Sequence, residues 1–158
     1  MLIVTHPACL HHEPGPEHPE SPSRLHAVLK ALTDARFDNI RRVEAPAATR
    51  EQLARVHGAV HIDAILGGTP GDGLRRLDED TVMSPHSAEA GLRAAGAAVA
   101  GVDRVMAGDA ARVFCAARPP GHHATADHAM GFCLFNSVAV AAAHALTAHG
   151  LERVAIAD

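Results

Sequence analysis

Apolar positions along this chain follow two rhythms. Leu2-Ile3-Val4 reads as a short strand, and Val113-Phe114-Cys115 and Val154 to Ala157 are runs without polar alternation, the pattern of buried strands, the first of these two covered on both faces. Elsewhere the spacing is helical, as in Leu25, Val28, Leu29 and Leu32, for which Ser23 serves as cap of a helix reaching Ala35. Thr49 with Gln52 three residues on is a capping box for a helix over Arg50 to Val56, and His57 to Leu66 reads as another. The Ala-rich stretches Ser87 to Met106 and Ser137 to His149 predict two longer helices, the second closed by Gly150. Val43 to Ala45 is a further brief strand candidate. Pro7 to Pro22, Gly67 to Gly71 and Arg118 to Phe132 read as loops because of their prolines and glycines. Strand, crossover helix and strand in this order predict an α/β fold with a parallel sheet.

In such sheets reacting groups sit just past the carboxyl ends of strands. Two places qualify, the segment after Ala117 and Asp158. A parallel strand ending at Asp158 would leave its flank unpaired, so the chain is expected to be the first portion of a larger domain.

Composition narrows the function classes. The 158 residues are one domain's length, with 47% apolar and 20% charged residues, enough for a folded core. A formal charge of −4 gives no cationic footprint for nucleic acid. No apolar run approaches the roughly 20 residues that span a bilayer, and the opening lacks a secretory leader. A cytoplasmic protein is therefore the expectation. Cys9, Cys115 and Cys133 are an odd, widely spaced set that argues against a disulfide framework and for buried thiols. Thirteen histidines stand against no tryptophan and no tyrosine, which calls for a chemical explanation.

The strongest local signal is Arg118-Pro119-Pro120-Gly121-His122-His123-Ala124. Two prolines stiffen the approach, Gly121 permits a sharp turn, and two adjacent imidazoles follow at a strand's carboxyl end. Such a pair divides into a general acid and base if a carboxylate holds one ring charged while the other stays neutral. A solvated surface loop is the plainer alternative.

That string, with Met130-Gly131-Phe132-Cys133-Leu134-Phe135-Asn136 and the Ala/Val helix after it, closely resembles the zinc-dependent deacetylases. This family takes in histone deacetylases, acetylpolyamine amidohydrolases and acetoin-utilisation proteins. His18-Pro19-Glu20-Ser21-Pro22 with Arg24-Leu25, and Asp80-Thr81 ahead of Ser87, resemble further blocks of the family. The resemblance implies a three-layer, arginase/deacetylase-like parallel-sheet fold, of which residues 1–158 would be the amino-terminal portion. It also implies zinc as cofactor, potassium as a second ion, and acetylated lysine or polyamine as substrate.

By the same resemblance His123 matches the general base, and His122 its electrostatic partner. Asp158 matches the carboxylate behind His122, the first acid of an Asp-x-Asp-x-His motif, where it also helps hold a monovalent cation. Phe132 and Gly131 match one wall of the tunnel around the acyl-amine stem, and Asp80 a rim carboxylate that orients substrate. The family's zinc ligands and its carbonyl-polarising tyrosine match nothing in this chain, so the chain alone is expected to be inactive. Two other classes stay open: a non-catalytic module that binds acyl-amines, and a truncated product without independent function.

The remaining histidines offer less. His57 and His61 sit four apart on a predicted helix, as zinc pairs often do, yet no accompanying Glu completes a hydrolase pattern, and half-buried polar neighbours are the simpler account. His11-His12-Glu13 and His18 lie in the Pro-rich loop, with a lining of the site entrance as one reading and a solvated loop as the simpler one. Arg24 has an acid partner as one reading and an exposed helix start as the other. His86, His128, His144 and His149 fit no recognisable constellation, and Gly67 to Gly73 lacks the Lys-Ser/Thr of a phosphate loop.

Overall fold

A computed structural model describes all 158 residues. Three parallel strands form the main sheet: β1 (Leu2–Thr5) in the centre, β2 (Arg41–Glu44) on one side and β5 (Val113–Ala116) on the other. Leu2 lies opposite Arg41 and Val113, and Thr5 opposite Glu44 and Ala116. Central position explains why Leu2, Ile3 and Val4 are each 1% exposed or less, since helices cover both faces of a parallel sheet. On one face Ile3 and Ala116 pack with Cys9 and with Leu25 and Leu32 of the α1 segment (α1, Pro22–Ala31). On the other, Leu2 and Val4 pack against Ala45 and Ala97. Ala97 belongs to α4 (Ser87–Met106), whose small residues let its backbone come close to the sheet.

The largest apolar cluster lies beside the sheet. There Leu53 of α2 (Arg50–Ala54) and Ile62 and Ile65 of α3 (Ala59–Leu66) meet Met83, Val99, Leu134, Phe135 and Val140 of α5 (Ser137–His149). A two-stranded antiparallel ribbon, β3 (Arg75–Arg76) with β4 (Val82–Met83), borders it. The Thr49 capping box is present, with Gln52 Oε1 accepting from the Thr49 N–H at 2.9 Å. Gly150 ends α5 in the left-handed conformation, φ +66°.

Several expectations need correction. Helix α1 starts at Pro22 with Ser21 as cap, two residues earlier than Ser23, because proline's fixed φ suits a first helical position. It ends at Ala31, ahead of a separate 3-10 turn at Ala35–Phe37. The Pro7 to Pro22 loop holds a 3-10 turn, Pro7–Leu10, and is buried in part. Strand β5 is not covered on both faces: Phe114 is 43% exposed and Cys115 is exposed, while Cys9 and Cys133 are buried. Val154 to Ala157 is exposed and forms no strand. Its backbone makes no bond to β5, so the ladder that would fix it as a strand is missing. Instead it borders an apolar groove of about 770 Å³ between α4, β5 and α5. No helix is long and apolar enough to cross a membrane.

Candidate functional site

A buried polar lattice anchors the segment that carries the paired histidines. Arg118, at the carboxyl end of β5, is 3% exposed and Glu20 is 1% exposed. The guanidinium donates from Nε to Glu20 Oε1 and from Nη2 to Glu20 Oε2, both at 2.7 Å, and from Nη1 to the Cys9 carbonyl at 2.8 Å. This bidentate fork fixes the orientation of both partners. Arg24, 62% exposed, adds a looser contact to Glu20 at 3.7 Å. His12, also buried, places Nε2 3.5 Å from Glu20 Oε2 and Nδ1 2.7 Å from the Ser87 hydroxyl at the start of α4. Ser87 Oγ in turn accepts from the Ser84 N–H, and Ser84 Oγ from the Glu13 N–H. The solvated reading of His12 is thus wrong, because the Pro-rich loop folds back over the sheet's carboxyl edge and delivers its polar groups inward.

Burial pushes the His12 imidazole down to about 3, with the Arg118 guanidinium and then His18 acting the same way. Glu20 does not reverse this because its charge is engaged by Arg118. His57 is also lowered, chiefly by burial and by neighbouring His61. Both rings are therefore neutral in the folded protein at neutral pH. An unfolded chain takes up these protons near the ordinary value of 6.5, whereas the folded one resists to about 3 at His12. Stability should accordingly be full above that ordinary value and fall on acidification, by about 1.4 kcal/mol per pH unit for each proton bound only on unfolding. Urea midpoints measured between these two limits should show this slope, and His12→Asn should flatten it; a flat wild-type profile would contradict the burial.

From Arg118 the chain passes through a cis bond to Pro119 and turns at Gly121. A side chain on Gly121 would lie 2.6 Å from the Ser137 N and 2.9 Å from the Phe135 carbonyl, so only glycine lets the turn pack on the start of α5. The two rings that follow meet edge to face with centroids 4.1 Å apart. His122 Nδ1 lies 3.2 Å from Asp158 Oδ1; the histidine side chain is 47% and the aspartate side chain 81% exposed. The structure therefore brings His122, His123 and Asp158 together, although Asp158 stands at the mouth of the turn and is not buried behind it.

Gly131 and Phe132 both hold left-handed backbone, φ +56° and +68°. A Cβ on Gly131 would fall 2.7 to 2.8 Å from Cβ, Cγ and Cδ2 of His123, so the bare backbone is what leaves that ring its place. The Phe132 N–H donates to Thr81 Oγ1 at 3.0 Å, and the ring packs edge-on against His18 at 4.8 Å. His18 accepts from the Glu20 N–H at Nδ1, which puts its proton on Nε2 facing the Asp80 carbonyl at 2.9 Å. Asp80 and Phe132 share a cavity of about 540 Å³ with Glu17, His18 and Arg76.

Two more histidines support the same loop from beneath. His57 accepts from the Asn136 N–H at Nε2 (2.9 Å), leaving Nδ1–H to face the Ala126 carbonyl at 3.3 Å. His61 Nε2 meets the Leu134 carbonyl at 2.9 Å, and both rings pack on Phe135. They are braces for residues 126–136, not a metal pair. Their i, i+4 spacing signalled a shared face, but nothing in the sequence showed that loop carbonyls would occupy it. Asn136 completes the frame, capping α5 through Oδ1 while its amide holds the Ala124 carbonyl at 2.9 Å.

The histone deacetylase domain matches residues 18–158. A histone deacetylase-like amidohydrolase of Pseudomonas aeruginosa is 39% identical over 142 residues, 90% of this chain and 37% of that protein. A human polyamine deacetylase is 34% identical over 88% of this chain and 22% of its own length. The crystal structure of the HDA15 HD domain superposes with a TM-score of 0.88 at 33% identity, covering 94% of this chain and 44% of that one. An uncharacterised Synechocystis protein, 42% identical along the whole chain, is matched over 53% of its length; the chain thus spans about half, or less, of these relatives. Matched by the family over residues 18–158 and in backbone over 94% of its length, the chain belongs to the histone deacetylase family.

Proposed function

We propose that residues 1–158 are the proton-handling half of a zinc-dependent amidohydrolase that removes acetyl groups from lysine or polyamine nitrogen. The observation that carries this reading is the His122–His123 pair, held edge to face at 4.1 Å with Asp158 3.2 Å from His122. In this reading His123 takes a proton from the attacking water and delivers it to the departing amine. His122, with the Asp158 carboxylate at its outer nitrogen, steadies the charge that develops beside it. Phe132 and Gly131 line the approach of the acyl-amine stem, and Asp80 at the rim receives the flanking backbone or cationic nitrogen of the substrate. Asp158 also contributes to a potassium site at the same turn.

Zinc in such enzymes polarises the acetamide carbonyl and activates water. A catalytic zinc needs three protein ligands and an open position. The only trio of ligand-type side chains that converges in this chain lies elsewhere, on α4 and α5, and Asp158 is turned to His122. These residues do not make the cradle, which the proposal places outside residues 1–158.

The test is acetate release from an acetyl-lysine peptide and, in parallel, an acetylated polyamine. The 158-residue chain alone should release none. Joined to the zinc-ligand half of the domain it should turn over one or both, in a chelator-sensitive way. Gly131→Ala in that protein should lower kcat about 100-fold by displacing His123, since misplacement on the order of 1 Å costs that much. Chelator-insensitive turnover by the short chain, or an unchanged rate in the variant, would refute the reading.

A further inference from the structure

Away from the paired histidines, α4 and α5 are joined by a second group of titratable side chains. Asp103 Oδ1 lies 2.6 Å from His144 Nε2 and 2.7 Å from His149 Nε2. The three atoms fall within 4.8 Å of one another, the one such convergence of His, Cys, Asp or Glu in the chain. We propose that Asp103, His144 and His149 form a metal site that takes a borderline divalent ion of the zinc, cobalt or nickel class, with water completing the coordination.

The donor chemistry favours these ions. Two imidazoles and a carboxylate suit zinc and its neighbours, whereas calcium and magnesium call for oxygen-rich cages. Distances fit with small adjustments. Tetrahedral bonds of about 2.0–2.1 Å separate ligand atoms by roughly 3.3 Å, so the carboxylate must draw back from each ring by about 0.7 Å and the two ring nitrogens, which lie within 4.8 Å of each other, must settle at the same spacing. The side chains have that freedom, because Asp103 is 50% and His149 25% exposed, while His144 at 8% is held firmly. His144 and His149, five residues apart near the end of α5, both reach Asp103 on α4 with their Nε2 atoms.

Arg55 tunes the site. Its Nη1 lies 2.6 Å from His144 Nδ1, so that ring now carries its proton on Nε2, facing Asp103. Metal binding at Nε2 moves the proton to Nδ1, where it meets the guanidinium. Arg55 must then turn toward Glu51, to which it is already bonded at 3.3 Å. The bound ion therefore competes with Arg55 for His144, and removing the guanidinium should strengthen metal binding.

Titrating the 158-residue chain with zinc by calorimetry, and with cobalt by its visible absorption, tests the proposal independently of any deacetylase activity. One ion should bind. His149→Ala and Asp103→Asn, confirmed as folded by circular dichroism, should each weaken it by more than the about 10- to 100-fold that outer-shell partners cost. Arg55→Met should tighten it, and Asp158→Asn should leave it unchanged. The proposal fails if zinc does not bind, if His149→Ala or Asp103→Asn binds it as tightly as the parent chain does, or if Asp158→Asn abolishes it. The last outcome would place the ion at the paired-histidine turn.

Discussion

Glu20→Ala should destabilise the protein by about 3–5 kcal/mol, because it leaves the Arg118 guanidinium buried without its counter-charge. Glu20 is 1% and Arg118 3% exposed, so water cannot replace the lost carboxylate without opening the loop over the sheet. Against a typical total of about 5–15 kcal/mol, that is enough to unfold much of a marginal domain. Urea unfolding of purified variants measures it. The double variant Glu20→Met with Arg118→Met should recover most of the loss, since removing both charges also removes their desolvation cost. A single-variant effect below about 0.5 kcal/mol, the size expected of exposed pairs, would mean the fork contributes nothing to holding the loop.

Much of the fold was legible because its signals are local. The unbroken Leu2-Ile3-Val4 run, the Thr49 capping box, the Ala-rich helices and the Gly150 stop each depend on residues within one turn or strand, and each is present. The paired histidines were legible for a different reason: Pro119, Pro120 and Gly121 announce a shaped turn at a strand's carboxyl end. Readings failed where the answer depends on distant partners. Val113-Phe114-Cys115 and Val154 to Ala157 carry the composition of buried strands, but burial needs a neighbour on the outer flank of β5, and Phe114 and Ile156 remain exposed. His12 looks like a solvated loop residue, and nothing local shows that Glu20 beside it is paired, until Arg118, 98 positions after Glu20, closes the lattice. His144 and His149 showed no pattern because their common partner, Asp103, lies on another helix.

The second large effect concerns the chemistry. His123→Ala, in the protein that joins this chain to the zinc-ligand half of the domain, should cost about 10²- to 10⁴-fold in kcat, the range attributed to a positioned acid/base group. Arg118, the Gly121 turn and Gly131 hold that one imidazole in place, so its removal should silence proton transfer without disturbing the lattice below. Metal content separates this role from ligation: a proton carrier can be deleted with the ion still bound, whereas loss of a ligand empties the site.

The decisive measurement is therefore acetate release and zinc stoichiometry determined on the same preparation of His123→Ala. The account predicts turnover reduced by at least about 100-fold with zinc content equal to the parent's. Turnover within a few-fold of the parent, or loss of the ion together with activity, would contradict it.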